Sequence, residues 1–218
     1  MDQRILIDGL VSYVCFLPIL TFHEFAHAWV AWKCGDDTAR LQGRVSLNPT
    51  VHIDLVGTIV LPLLAVILSA ANSALAGFII GWGKPVPVNI ANLRHRRRDD
   101  TMVALAGPAM NVLLAIGILA VVKIGVVADW PMVVAAGQRL ALLSLFLCFF
   151  NLLPVPPLDG SHVLKNAVGM SDEAYWRFCQ FGLIAVIIVV QIPFVWRLIE
   201  FATYTTLGAI AGVFRLGA

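Results

Sequence analysis

The sequence predicts an all-α polytopic membrane protein, a bundle of about five or six transmembrane helices. Three observations predict it. Of the 218 residues, 60% are hydrophobic and only 13% are charged, and the mean hydropathy is +0.87. Soluble domains carry roughly 45–50% apolar and about 25% charged residues. The apolar residues gather into runs long enough to cross a hydrocarbon core of about 30 Å. Polar loops separate those runs. A soluble globular domain and a disordered chain are both excluded on this composition. The net charge of +2 leaves no electrostatic footprint for nucleic acid, so no such partner is expected. The lipid bilayer is the expected surroundings.

The first run, Ile5–Trp32, is expected to remain as a helix. Asp2 and Asp8 interrupt the basic region that a cleavable leader needs, and the apolar run continues into His23–His27. The loop Lys33–Asp54 follows, then the apolar segment Val56–Ile80, then the loop Trp82–Asp100. Met102–Val127 and Val133–Leu153 are two further spans joined by Ala128–Met132. After the loop Pro154–Arg177 comes a stretch from Phe178 to about Phe214, too long for one span. Pro193, Arg197 and Glu200 are expected to divide it into two helices, or a helix and an interfacial segment. Two regions are expected: a core over 1–170 and C-terminal helices over 171–218. The four cysteines, Cys15, Cys34, Cys148 and Cys179, match no paired metal or redox spacing.

Positive residues collect on the cytoplasmic side of a membrane. Lys84 and Arg94 to Arg98 put the loop Trp82–Asp100 there. Ala128–Met132 has no Lys or Arg and is expected outside, and Lys165 and Arg177 put the next loop inside. Lys33, Arg40 and Arg44 suggest that Lys33–Asp54 is cytoplasmic too. A single span over Val56–Ile80 would then join two loops on the same side. A re-entrant hairpin resolves the conflict: a helix over 55–69, a turn through 70–77 and a return by 78–82. Such a break is tolerated where protein or a wet cavity surrounds it.

The chemistry starts at His23-Glu24-Phe25-Ala26-His27, inside the first apolar run. Histidines at i and i+4 share one helix face, one turn apart. Both imidazoles can therefore hold one Zn²⁺. Glu24 projects close enough to act as a general base on water at the metal. Ionisable residues inside a membrane helix are costly and default to a functional reading. A catalytic zinc takes three protein ligands and an open position, and Asp159 is the leading third candidate. It ends Asn151-Leu152-Leu153-Pro154-Val155-Pro156-Pro157-Leu158-Asp159-Gly160, where prolines stop a helix and Gly160 permits a turn. Read alone, Asp159 is equally a cap for the segment Ser161–Val168.

With both motifs in order, the chain resembles the site-2 protease family of intramembrane zinc metalloproteases, peptidase family M50. Further similarity lies in Gly43-Arg44-Val45-Ser46-Leu47-Asn48-Pro49 with His52 and Asp54, in Gly83-Lys84-Pro85-Val86-Pro87-Val88-Asn89, and in Ala106-Gly107-Pro108-Ala109-Met110-Asn111. These resemble its short, core-only prokaryotic branch, and no polar stretch is long enough for a PDZ or CBS domain. The resemblance covers about 16–164. It implies one Zn²⁺ per chain held by His23, His27 and Asp159, with Glu24 as base. It implies transmembrane proteins or peptides as substrates, cleaved in the bilayer near its cytosolic face. It also implies a membrane-associated β-segment at 83–89. Pro85, Val86, Pro87 and Val88 fit an edge strand for substrate pairing, or a rigid extended loop.

The remaining polar residues have two readings each. Asn151 and Asn111 either contact the oxyanion or substrate, or join helices by hydrogen bonds. His52 is expected to orient a ligand or serve as a transient one, and Asp54 to do the same or cap the helix at Leu55. His162 either supports the site or lies at the surface. For His23 and Asp159 to meet, the first helix must run inward like Val133–Leu153, with the N-terminus outside. That direction also requires the hairpin. A metal transporter would need a polar path across the membrane, and a protease for prenylated C-termini would lack the Asp159 motif. Nothing in the sequence specifies an oligomeric state.

Overall fold

The computed structural model describes residues 2–79 and 81–216. Helix α1 (Gln3–Lys33) opens with Asp2, whose carboxylate accepts the Arg4 N–H at 2.9 Å. At 1.5 Å per residue its 31 residues extend about 46 Å, more than a membrane thickness. The short helix α2 (Thr38–Leu41) and a 3₁₀ turn (Pro49–Val51) lie in the loop that follows. A π-turn (Leu55–Val60) leads directly into α3 (Leu61–Ala70). Pro62 explains the wide turn. It has no N–H for the carbonyl of Thr58 and its ring pushes that carbonyl away.

Leu55–Ala70 rises about 24 Å, too little to cross a 30 Å core. The chain then comes back. The Trp82 N–H donates to the Gly57 carbonyl at 3.0 Å, and the Lys84 N–H to the His52 carbonyl at 2.9 Å. The Thr58 hydroxyl donates to the Trp82 carbonyl at 2.8 Å. Entry and exit are therefore side by side, which is the geometry of the expected hairpin. Ile80, the expected end of the segment, lies outside the described residues. The Asp2 N–H donates to the Ala70 carbonyl at 2.7 Å, so α3 runs antiparallel to α1 with the hairpin tip at the start of α1.

Helices α4 (Arg96–Val127) and α5 (Pro131–Asn151) form an antiparallel pair. A tight turn joins them, with Asp129 at φ 55° and the Trp130 N–H on the Gly125 carbonyl at 2.8 Å. A Cβ on Gly137 would meet Val122 Cγ2 at 2.4 Å, so glycine sets this close approach. Ala115, Leu119 and Val122 of α4 pack on Ala141 and Leu145 of α5. Leu207, Ile210 and Phe214 cover that cluster from the C-terminal end. The remaining helices are α6 (Asp159–Ala167), α7 (Asp172–Cys179), α8 (Gly182–Val190) and α9 (Pro193–Val213).

Among the described residues, three helices, α1, α4 and α5, are long and apolar enough to cross a membrane, with a fourth if α7 and α8, bent by 62°, count as one. The expectation was about five or six. The C-terminal stretch does divide near Pro193. Its first part is only nine residues, and α9 dilutes its apolar residues with Arg197, Glu200, Thr203, Thr205 and Thr206. The expected β-segment is not formed as a strand: no strand occurs among the described residues, and 83–89 is irregular. A strand needs a partner, and prolines at 85 and 87 remove the donors that would recruit one from this chain.

Candidate metal centre

His23 and His27 sit one turn apart on the buried face of α1. Their Nε2 atoms are 3.1 Å apart. Asp159 Oδ2 lies 3.2 Å from His23 Nε2 and 3.4 Å from His27 Nε2. Asp159 opens α6, just past the proline-rich turn that ends α5. A Cβ on Gly160 would fall 2.2 Å from the Leu152 carbonyl oxygen. Only glycine lets the chain fold back there and aim the preceding carboxylate at α1. The antiparallel pairing of α4 with both α1 and α5 makes α1 and α5 run the same way, as the shared centre requires.

The donor set fits a zinc ion. Tetrahedral zinc with bonds of about 2.0–2.1 Å separates its ligand atoms by about 3.3–3.4 Å, close to the spacing of the three atoms here. Asp159 Oδ2 is buried with no hydrogen-bond donor. The His27 Nδ1–H donates to the Val103 carbonyl at 2.7 Å. A carbonyl only accepts, so the proton is on Nδ1 and the Nε2 lone pair faces the centre. His23 Nδ1 lies 3.1 Å from the Asn111 side-chain amide. With the amide oxygen turned toward it, Nδ1–H donates there and His23 Nε2 is free in the same way.

Helix α4 closes the centre at Gly107. A Cβ there would fall 2.3 Å from His27 Nε2 and 2.7 Å from His23 Nε2. The backbone thus forms the wall, and any side chain would fill the ligand space. Pro108, next in sequence, has no N–H for the carbonyl of Ala104, so the helix ladder is interrupted one residue after Val103. Glu24 is half-buried on α1, and the backbone of Gly83 passes beside it. A Cβ on Gly83 would be 3.3 Å from Glu24 Oε1.

The other expected residues divide. Asn111 is fully buried and touches His23, and its carbonyl accepts the Ser144 hydroxyl at 2.8 Å. Asn151 donates to the Leu147 carbonyl of its own helix at 3.0 Å. His52 is buried away from the triad; its Nε2–H donates to the Ser46 carbonyl at 2.8 Å. Asp54 caps the π-turn, accepting from the Val56 and Gly57 amides. His162 is half-exposed on α6. It pairs with Asp100 at 3.1 Å, and Asn166 donates to the same carboxylate at 2.8 Å. These bonds tie α6, and hence Asp159, to α4.

Sequence reasoning quoted Gly107 and Arg44 within motifs without giving either a role here, and singled out none of Val103, Asp100 and Asp36. The Arg44 guanidinium is buried and donates to the Lys84 and Pro85 carbonyls. Asp36, fully buried, accepts from the Asn89 N–H at 2.7 Å and the Asn92 amide at 3.0 Å. Burial alone would raise the Asp36 pKa. The hydrogen bonds from Thr38, Asn89 and Asn92 outweigh it and hold the carboxyl below its ordinary value.

The chain is similar to proteins named as putative zinc metalloproteases. The model of "Peptidase family M50" matches residues 11–128 and 117–190. The chain is 38% identical over 172 residues to the Bacillus subtilis (strain 168) protein named "Putative zinc metalloprotease YwhC". That match covers 73% of this chain and 71% of the relative. It is 31% identical over 179 residues to "Putative zinc metalloprotease Rip2" of Mycobacterium tuberculosis (strain ATCC 25618 / H37Rv), covering 82% of this chain and 65% of that protein. No solved structure matches the chain.

Proposed function

The chain belongs to peptidase family M50, and from that premise we propose that it is an intramembrane zinc endopeptidase, cutting peptide bonds within or near transmembrane segments of membrane proteins. The observation that carries this reading is the convergence of His23, His27 and Asp159 atoms at 3.1–3.4 Å on apolar helices. One zinc per chain is held by these three residues. Zinc supplies Lewis acidity toward the scissile carbonyl and makes water a nucleophile near neutral pH.

The chain's own groups do the rest. Glu24 accepts a proton from the attacking water as the C–O bond forms. It returns that proton to the amide nitrogen as the C–N bond breaks, so the leaving amine departs neutral. Val103 and Asn111 fix the two imidazoles, and the α6 tie to Asp100 fixes Asp159. A substrate helix has its amides bonded internally and must be unwound before attack. Val86 and Val88 receive it as an edge, with Pro85 and Pro87 keeping that edge extended. Residues 1–170 form the protease core and 171–218 its C-terminal helices. The basic loops around Lys33, Lys84, Arg94 and Arg96 to Arg98 support a cytosolic-side active site with the N-terminus outside.

The test is cleavage of a model transmembrane peptide by the detergent-purified protein. A chelator should abolish cleavage, and added zinc should restore it. Cleavage that survives complete removal of metal would refute the reading.

A further inference from the structure

The segment after Gly83 is held at both ends and left open in the middle. At its start the Lys84 N–H donates to the His52 carbonyl at 2.9 Å. The Arg44 guanidinium gathers the consecutive carbonyls of Lys84 and Pro85. An ideal strand points consecutive carbonyls to opposite edges, so Arg44 holds a bend, and the straight part begins at Val86. At its end the Asn89 N–H and the Asn92 amide are bound by Asp36. Arg44 is 4% exposed and Asp36 0%. Two buried charges serving loop backbone are costly, and neither contacts the metal triad.

Between those pins, Val86 precedes a proline and is therefore extended. In an extended chain, residues i and i+2 direct their N–H and C=O groups to the same edge. Val86 and Val88 thus offer donors and acceptors along one edge. The other edge holds Pro87, which has no N–H to offer. The backbone groups of Val86 and Val88 make no hydrogen bond among the described residues. Val88 and Ile90 pack inward against Ala31, Cys34, Leu93 and Val103, which seats the segment on α1 and α4. Its first residue, Gly83, passes Glu24.

We propose that Arg44 and Asp36 are positioning residues that hold Val86–Val88 as a one-sided, two-residue template and so fix which substrate bond lies beside Glu24. This rests on the strand-pairing reading above and adds to it the device that sets the register. Side-chain direction repeats every two residues along a strand, so an unpinned template slips in steps of two and presents neighbouring bonds.

The experiment maps cleavage sites by mass spectrometry on one transmembrane peptide, with kcat and KM, zinc content and melting temperature for each variant. Wild type is expected to cut one dominant bond. Arg44→Gln should spread cleavage to bonds two residues away and raise KM about tenfold, with zinc content unchanged. Asp36→Asn should do the same from the other pin, and it stands as the test should Arg44→Gln fail to fold. An unchanged single bond with unchanged KM in the folded variants overturns the proposal. A fall in kcat alone at that same bond also overturns it, because it would assign Arg44 to the field at Glu24. Val86→Pro keeps an allowed backbone but deletes one donor. If it cleaves like wild type, the strand reading itself fails. If it is impaired while both pin variants keep register and KM, only the pinning fails.

Discussion

Val103 enters the metal centre through a backbone carbonyl, and Gly107 through having no side chain. Neither contribution leaves a mark in residue type that a reader of the sequence would assign to metal binding. The convergence of His23, His27 and Asp159 was legible because each uses its own side chain, the two histidines at one-turn spacing and Asp159 in a proline-rich turn. Gly107 and Pro108 did leave a faint trace, as two helix-disfavoured residues in mid-span. Their use is clear only once α4 is seen against α1. A valine at 107 would occupy the space between the imidazoles. Gly107→Val should therefore lower zinc affinity by at least about a hundredfold while α4 stays helical. Chelator competition and circular dichroism check this; unchanged zinc affinity would show that α4 does not wall the centre. Asn111 was legible as a polar residue in an apolar helix. Asn151 looked equivalent; in the structure one of its amide N–H groups donates to Leu147 of its own helix.

At the scale of elements, charge placement posed the choice between a span and a hairpin, and the common direction that His23 and Asp159 demand favoured the hairpin. The hydrogen bonds of Trp82 and Lys84 to Gly57 and His52 give the same hairpin. Cysteines at positions 33 and 84 are then expected to react with an impermeant maleimide from the same membrane face. Labelling from opposite faces would contradict the hairpin. The irregular 83–89 segment was less legible, since its hold depends on two residues distant in sequence: Arg44, read as a topology signal and part of a motif, and Asp36, which carries no motif. Asp36 also gives a pH dependence. Its folded pKa is below the ordinary value of about 3.9. Its contribution is therefore complete above that value and is lost as pH falls through the depressed pKa. Hydrogen exchange at the Asn89 amide should show constant protection, corrected for intrinsic rates, from pH 7 to about 4.5, with loss only below pH 4. Loss between pH 7 and 5 would contradict the assignment.

Across the whole molecule, α1 and α6 supply the three side chains of the candidate centre, and α4 packs against both. Membrane class and family were legible because composition and two motifs report them directly. The helix count was not, because α8 and α9 break the apolar run in ways that depend on where Pro193 and the threonines fall. Under the proposed function, a metal triad in such apolar surroundings suits a bond that bulk water does not reach, and Glu24 beside His23 is the carboxylate proposed to move the proton. The most direct test compares wild type with Glu24→Gln for zinc content and for cleavage of a model transmembrane substrate in detergent. Equal zinc in both, with cleavage by wild type alone, is the predicted result. A well-folded wild type that binds no zinc, or a Glu24→Gln variant that cleaves as fast as wild type, would contradict it.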